Sequence, residues 1–231
     1  MKKIIFMAML MATGISASAQ DKIEATISTD VVNQYIWRGL DLGNASLQPT
    51  VGVAYKGLSL SAWGSIGLTS AADTKEFDIT AAYTIGGFNI GVTDYWFNTP
   101  EERYFLYDAH RTSHVFEANV GYDFGFAAIQ WYTNFAGNDG TNSDGKRAYS
   151  SYVELSAPFK LATVDWSAAV GAVPFATTSY DTTGFAVTNV SLKATKDIKV
   201  TDTFSIPVFG QIAANPSSQK AYLVFGFTLQ P

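Results

Sequence analysis

The sequence predicts an all-β protein, a transmembrane antiparallel up-and-down β-barrel of about 12 strands, and three observations lead to that prediction. The chain is 47% hydrophobic and only 15% charged, whereas soluble domains are roughly 25% charged. Beyond its first residues, it holds no apolar stretch near the roughly 20 residues that a membrane helix needs. Its apolar residues instead recur at every second position, and short turns alternate with longer polar loops.

The N-terminus has the composition of a secretory signal peptide. Two lysines precede an apolar run, and Ala17-Ser18-Ala19 offers a cleavage site of small residues. We therefore expect residues 1–19 to be removed on export and residues 20–231 to form the barrel. Loss of the two lysines changes the net charge from −5 to −7, which disfavours nucleic acid as a partner. The chain has no cysteine, so neither disulfides nor a lipid-modified cysteine are expected.

Alternation of apolar and polar residues defines the predicted strands. Near the start, Ile23, Ile27 and Val31 share one parity, and Glu24 and Asp30 lie on the other. A period of two gives a strand one apolar and one polar face. The twelve predicted strands span residues 23–38, 47–55, 58–68, 76–85, 88–97, 116–124, 126–135, 149–157, 163–173, 186–195, 204–213 and 219–229.

The connections between these strands alternate in length. Short turns are predicted near Lys56, Gly86, Gly125, Pro158 and Asp197. Longer polar loops are predicted at residues 39–45, 69–75, 98–113, 137–146, 174–184 and 215–218. Bacterial outer-membrane barrels show this asymmetry, with short periplasmic turns and long external loops. We therefore expect a location in the outer membrane of a Gram-negative cell, with outer-membrane lipid and the barrel-assembly machinery as partners.

Aromatic residues concentrate near both ends of the predicted strands, where interfacial girdles are expected. The girdle near the short turns would comprise Tyr55, Tyr83, Phe88, Tyr122, Phe124, Phe126, Trp166 and Phe204. The girdle near the loops would comprise Tyr35, Trp37, Tyr95, Trp96, Tyr132 and Tyr149. The last strand looks like the terminal strand that the assembly machinery recognises, with Phe227 in place of the usual final aromatic residue.

A soluble sandwich or lipocalin-like barrel is the alternative fold, because such proteins also alternate. Their polar face meets water and should be rich in lysine and glutamate, whereas here it is mostly Thr, Ser, Gly, Ala and Asn. Pro49 and Pro207 count against a closed barrel, because proline cannot donate to the strand ladder. Both are therefore expected at barrel rims or bulges.

The parity opposite the apolar one would line the lumen of the barrel. Its charged residues, which are the pore-lining candidates, are Glu24, Asp30, Arg38, Glu76, Asp78, Glu117, Asp123, Glu154, Asp165 and Lys193. Because acidic residues outnumber basic ones, an open lumen would favour cations or neutral solutes weakly. A plugged interior in which these charges pair is an equal alternative, since only about 16 strands guarantee an open channel.

Two loops contain residue types that also occur in enzymes and metal sites. The loop at 98–113 and the strand behind it contribute Asp108, His110, Arg111, Ser113, His114 and Glu117. Residues this close in sequence rarely place a nucleophile, a base and an acid correctly. The loop at 138–145 resembles a calcium loop in composition, but Gly140 and Ser151 stand where the first and last ligands belong. We therefore assign no catalytic residue and expect no metal or cofactor.

One N-terminal pattern resembles a known family. Asn33-Gln34-Tyr35-Ile36-Trp37-Arg38-Gly39, followed by Ala62-Trp63-Gly64-Ser65, is similar to the start of the TorF family of porins, in which an aromatic-x-aromatic-Arg-Gly element precedes a short polar loop and a small-Trp-Gly-Ser strand. The resemblance covers about a third of the chain directly and implies a barrel with a pore but no catalytic residues. It carries over only Arg38, as a lumen or rim residue, and the loop Leu40-Asp41-Leu42-Gly43 is less polar than the pattern.

The sequence thus predicts a porin-like barrel that gives passive passage to small hydrophilic solutes or ions and weakly favours cations. A non-conducting structural or surface-contact barrel is the second hypothesis. A lipid-directed hydrolase is the third.

Overall fold

The computed structural model of the chain describes residues 22–70, 73–98, 103–108, 111–202 and 204–231. The predicted signal peptide lies outside these residues. Within them, no helix is long and apolar enough to cross a membrane.

Fourteen β-strands follow one another along the described residues. Their bounds are β1 Glu24–Val32, β2 Tyr35–Trp37, β3 Leu40–Gly43, β4 Ser46–Tyr55, β5 Leu58–Gly67, β6 Glu76–Ile85, β7 Phe88–Phe97, β8 His114–Asp123, β9 Ala128–Gly137, β10 Ser151–Leu161, β11 Val164–Val173, β12 Ala186–Lys199, β13 Ser205–Asn215 and β14 Lys220–Leu229.

Twelve of these strands close into one antiparallel barrel, and the other two, β2 and β3, pair only with each other. Each wall strand from β4 to β14 pairs with its neighbours in sequence order. Closure comes from β1, which pairs with β4 on one side and with β14 on the other. The predicted all-β barrel of 12 strands is confirmed.

Alternate side chains of the wall face opposite sides, and the apolar ones face outwards. Leu60 is 52% exposed while its neighbour Ser61 is 5% exposed, and Ile212 is 60% exposed while its neighbour Gln211 is 6% exposed. A soluble barrel would have the reverse arrangement, with apolar residues inside. A continuous apolar outer surface of this size marks contact with a membrane or another apolar phase.

Tight turns join the wall strands at one end of the barrel. Lys56 and Gly57 have φ angles of 48° and 89°, as in the type I′ turns that match the twist of a hairpin. Gly86 and Gly125 have positive φ angles in the next two turns, as predicted.

Two of the predicted short turns are misplaced. The prediction near Pro158 is wrong, because β10 continues to Leu161 and the chain turns at Ala162, whose φ angle is 55°. The prediction near Asp197 is wrong as well, because β12 continues to Lys199. Pro158 in β10 and Lys196-Asp197 in β12 resemble turns in the sequence, but both lie within paired strands.

Pro49 and Pro207 lie at strand positions that pair with only one of the two neighbouring strands. Pro207 pairs with Asp197 of β12, but the pairing of β13 with β14 begins only at Val208. Pro49 pairs with Thr29 of β1, and the pairing of β4 with β5 is interrupted there. Neither proline therefore has to supply a hydrogen bond to both neighbours, which removes the conflict with a closed barrel.

The chain leaves the barrel wall immediately after β1. The prediction of one long strand over 23–38 is wrong past Val32, because Asn33 ends the ladder. The Asn33 side chain accepts a hydrogen bond from the backbone of Phe225 at 2.7 Å and donates one to the carbonyl of Leu223 at 3.1 Å. Its carboxamide thus takes the place beside β14 that the next peptide group of β1 would occupy. The backbone after Asn33 is therefore free to turn inwards.

Candidate functional site in the barrel lumen

The strands β2 and β3 form a short hairpin, which we call the inner hairpin (Tyr35–Gly43), and its tip is the Arg38-Gly39 pair. Trp37 pairs with Leu40, so the turn has two residues, and both have positive φ angles, 50° and 81°. This is again the type I′ geometry. A side chain at Gly39 would overlap the carbonyl oxygen of Thr188 on β12, so only glycine fits at the tip.

Contacts with opposite parts of the wall hold the inner hairpin inside the barrel. Ile36 packs against Ala213 of β13 and Val224 of β14. On the other side, the Tyr35 hydroxyl donates a hydrogen bond of 2.8 Å to Glu76 of β6. At the tip, the Asn215 amide donates to the carbonyl of Gly39 at 3.1 Å.

The Arg38 side chain ends in a buried ion pair with Glu117 of β8. Two hydrogen bonds of 2.6 and 2.9 Å join the guanidinium to the two carboxylate oxygens, and the side chains are only 8% and 4% exposed. Glu117 also accepts a hydrogen bond of 2.9 Å from the Tyr95 hydroxyl. Parallel Arg–carboxylate bonds of this kind are short, directional and strong, which fixes the position of the tip.

Aromatic rings enclose the same guanidinium. Its central carbon lies 4.3 Å from the ring centre of Trp37, 4.0 Å from that of Tyr132 and 4.7 Å from that of Tyr152. The hydroxyl of Tyr180, from the loop between β11 and β12, accepts a further hydrogen bond at 2.7 Å. Burial raises the pKa of Tyr180, so this hydroxyl stays protonated. Desolvated cation–π contacts contribute on the order of 2 kcal/mol each. We call Arg38 and the residues that contact its guanidinium the Arg38 cage, which comprises Trp37, Glu117, Tyr132, Tyr152 and Tyr180.

Four other pore-lining candidates lie near the inner hairpin or on the wall facing it. Glu76 and Asp78 are both buried on β6 beside Tyr35. Glu154 of β10 lines the same space as Arg38. Asp30 of β1 accepts a hydrogen bond of 2.6 Å from Thr228 across the β1–β14 seam.

Three of the remaining candidates lie towards the end of the barrel that carries the tight turns, whereas Lys193 pairs with Ser167 and Gln211 on the neighbouring strands and lies nearer the inner hairpin. Asp165 forms an ion pair with Lys160 at 3.1 Å. Asp123 is exposed and accepts a hydrogen bond from the backbone of Gly125, so it stabilises a turn. Glu24 is the first residue of β1. Lys193 lies over the ring of Phe209, with its nitrogen 3.9 Å from the ring centre.

A cavity of about 70 Å³ adjoins the inner hairpin. Such a volume holds roughly five water molecules. Its wall on the β10 to β13 side is mostly polar, and the hairpin and two tyrosines close the opposite side. The lining residues are Ile36, Trp37, Arg38, Gly39, Tyr132, Tyr152, Glu154, Ser167, Ala169, Asn189, Ser191 and Gln211.

Three tyrosines inside the barrel were assigned to the wrong environment by the sequence. Tyr35, Tyr95 and Tyr132 were predicted in the external girdle, yet they are 3%, 7% and 6% exposed and point inwards. For Tyr152, the sequence does hold a signal of the inward position, because this residue shares its parity with the charged Glu154. No comparable signal marks Tyr180, which lies in a loop.

The loop that suggested a hydrolase holds no catalytic arrangement among the described residues. Glu117 points into the lumen, whereas His114 faces the outside of the wall, 2.7 Å from Asp94. The other ring nitrogen of His114 lies 2.6 Å from the carbonyl oxygen of Tyr104. Asp108 and Arg111 form an exposed pair with each other, and His110 lies outside the described residues.

The loop with a calcium-like composition is a hydrogen-bonded turn. The Asn142 side chain accepts hydrogen bonds from the backbone of Asp144 and Lys146, each 3.0 Å long. The Asp139 carboxylate accepts from the backbone of Gly140 and Ser150. No group of three or more potential metal ligands occurs in the described part of the chain.

No family model matches the chain, and no curated protein matches it. The resemblance to the TorF family therefore rests on the N-terminal residues alone. Among solved structures, the chain is similar to the crystal structure of the COG4313 outer membrane channel from Pseudomonas putida F1, at 12% sequence identity and a TM-score of 0.39. The match covers 88% of this chain and 94% of that one. At this level, the similarity carries no conclusion about activity.

Proposed function

We propose that this protein is an outer-membrane channel whose lumen is narrowed by the inner hairpin. The observation that carries the proposal is the division of the wall into an apolar outer face and a polar inner face that borders a cavity beside the hairpin. A barrel with this division fits a membrane, and polar groups around an internal cavity replace part of the hydration of a passing solute. The solutes would be small ions and small hydrophilic molecules.

The charges of the lumen favour cations in this proposal. The positive charge of Arg38 is balanced by Glu117 within the cage. Glu154 then adds negative charge beside the hairpin, and Glu76 and Asp78 are two close buried carboxyl groups that can share one proton. Lys193 adds one positive charge beside the same cavity. Rings of acidic side chains select for cations in pores.

A non-conducting barrel is the second candidate, and one observation favours it. The hairpin tip touches the wall so closely that a single methyl group added at Gly39 would overlap the carbonyl oxygen of Thr188. If the remaining space does not connect the two ends of the barrel, the protein would act as a structural or surface-contact element.

Single-channel recording separates these two candidates. The chain without residues 1–19 would be reconstituted in a planar lipid bilayer under a salt gradient. We expect discrete, small current steps with a cation-biased reversal potential.

A hairpin-deleted variant provides the matched control. Val32 pairs directly with Ser46, so replacing residues 33–45 with Asn-Gly joins β1 to β4 through a two-residue turn. We expect a several-fold larger conductance from this variant. A silent parent protein beside a conducting deletion variant would show that the inner hairpin is a plug, and it would favour the second candidate.

A further inference from the structure

The cavity beside the inner hairpin is lined by buried polar groups that have unused hydrogen-bonding capacity. Gln211 is 6% exposed, and its amide makes no hydrogen bond within the described residues. Asn189 is 7% exposed and donates to Glu154 at 3.5 Å, which leaves its side-chain oxygen without a protein partner in the same residues. Both amides line the cavity, so water or another polar occupant of the cavity must supply their missing partners.

Glu154 gives this cavity a negative charge. One of its carboxylate oxygens accepts a hydrogen bond of 2.7 Å from Tyr152 as well as the longer one from Asn189. The other oxygen has no partner among the described residues. Arg38 is nearby, but three of its five N–H donors are directed to Glu117 and Tyr180 and none makes a hydrogen bond to Glu154 within the described residues. The Glu154 carboxylate therefore has no salt bridge within the described part of the protein.

The hydroxyl groups of Ser167 and Ser191 complete the polar wall. With Glu154, Asn189 and Gln211, they present carboxylate, amide and hydroxyl oxygens to one small space. Hard cations prefer oxygen ligands of these types. A single carboxylate balances a single positive charge, and the volume accommodates a cation together with several of its water molecules.

We propose that this cavity is a binding site for a small, partly hydrated monovalent cation such as K⁺, and that Glu154 determines its affinity. An anion is disfavoured because Arg38, the one cationic group among the described lining residues, is already paired with Glu117. Lys193 neighbours Ser167 and Gln211, but its nitrogen lies over the ring of Phe209. The inference builds on the proposed channel, in which a permeating ion would occupy this site on its way through the lumen. Binding itself does not require that the channel conducts.

The first test measures binding without conduction. The thermal unfolding of the barrel in detergent micelles would be followed in KCl and in N-methylglucamine chloride at equal ionic strength. The large organic cation is too big for the cavity, so a bound K⁺ should raise the unfolding temperature by about 2 °C or more at several times its dissociation constant.

Two variants make this test specific. We expect Glu154→Gln to abolish the difference between the two salts. Asp197→Asn changes the net charge equally but lies at the exposed end of β12, so it should keep the difference. A Glu154→Gln protein that responds to K⁺ like the parent, or a parent with no response, would overturn the proposed site.

The second test measures selectivity in the bilayer. If the parent conducts, Glu154→Gln should lower the K⁺ to Cl⁻ permeability ratio at least two-fold, whereas Asp197→Asn should not. A conducting parent whose ratio is unchanged by Glu154→Gln would contradict the site while leaving the channel in place. A silent parent would contradict the channel, and the thermal test would still decide on the site.

Discussion

Arg38 and Glu117 are joined by two hydrogen bonds, the shorter of them 2.6 Å, although 79 residues separate them in the sequence. One belongs to the inner hairpin and the other to β8, so the pair ties the hairpin to the barrel wall. Both side chains are almost completely buried. A buried pair of this kind stabilises a particular arrangement chiefly because breaking it leaves an unpaired charge.

Arg38→Met should therefore destabilise the barrel and loosen the inner hairpin. Loss of one member of a buried ion pair costs about 3–5 kcal/mol, and the cation–π contacts are lost as well. Urea unfolding of the refolded protein would measure the change in free energy. The double variant Arg38→Met with Glu117→Gln should recover part of the loss, because no buried charge is then left unpaired. Equal stability of the single and double variants would contradict this account.

Gly39→Ala should be more damaging than the same substitution at Gly125. The two glycines have φ angles of 81° and 85°, so the backbone strain of a side chain is similar at both. At Gly125, a side chain would meet no other atom within 4 Å, whereas at Gly39 it would overlap the wall. We expect about 1 kcal/mol of destabilisation at Gly125 and a clearly larger loss at Gly39, measured by urea unfolding. Similar losses would show that the tip does not fit the wall tightly.

Val92→Arg should oppose insertion into a membrane. Val92 lies in the middle of β7 and faces outwards at 42% exposure, and an arginine at the middle of a bilayer costs about 2–4 kcal/mol. Ala82→Arg on the neighbouring strand is the control, because Ala82 faces the lumen. The folded fraction in lipid vesicles, read from the shift of the band on unheated gels, should fall only for Val92→Arg. Equal folding of both variants would argue against a lipid-facing wall.

His114→Ala should release the loop next to it rather than remove an enzymatic activity. His114 is fully buried and connects Asp94 with the carbonyl of Tyr104, so its loss frees the segment over the outer wall. Arg103 and Arg111 are exposed in this loop, and limited trypsin digestion should cut there several-fold faster in the variant. Loss of a lipid-hydrolysing activity in His114→Ala, with unchanged digestion, would instead support the hydrolase hypothesis.

The wall of the barrel follows from the sequence because its signal repeats in every strand. A period of two extends over ten residues at a time, and paired glycines such as Gly86-Gly87 mark hairpin turns. The interior follows less well, because parity alone does not show which polar groups meet across the lumen. Glu117 is identifiable as an inward residue, but nothing in its neighbourhood names Arg38 as its partner.

The inner hairpin is hidden in the sequence for two physical reasons. The apolar parity of β1 resumes at Tyr35 and Trp37, so Asn33, a single polar residue on that parity, is a weak mark of the change of direction. Its turn also uses Arg-Gly, whereas Asn-Gly and Asp-Gly are the usual signals of a two-residue hairpin. The apolar residues Leu40 and Leu42, which depart from the family pattern, are consistent with a segment that lies inside the barrel.

The partners of the inner hairpin come from distant parts of the chain, and this affects the order of assembly. Arg38 bonds to a residue 142 positions later, and Gly39 to one 176 positions later. Contacts between such remote residues form late, because long stretches of chain must be ordered first. The first segment synthesised after β1 thus reaches its final place only when nearly all other strands have been arranged. We therefore expect the hairpin to dock late in folding, and trypsin would detect an intermediate with an undocked hairpin by cleavage at the exposed Arg38.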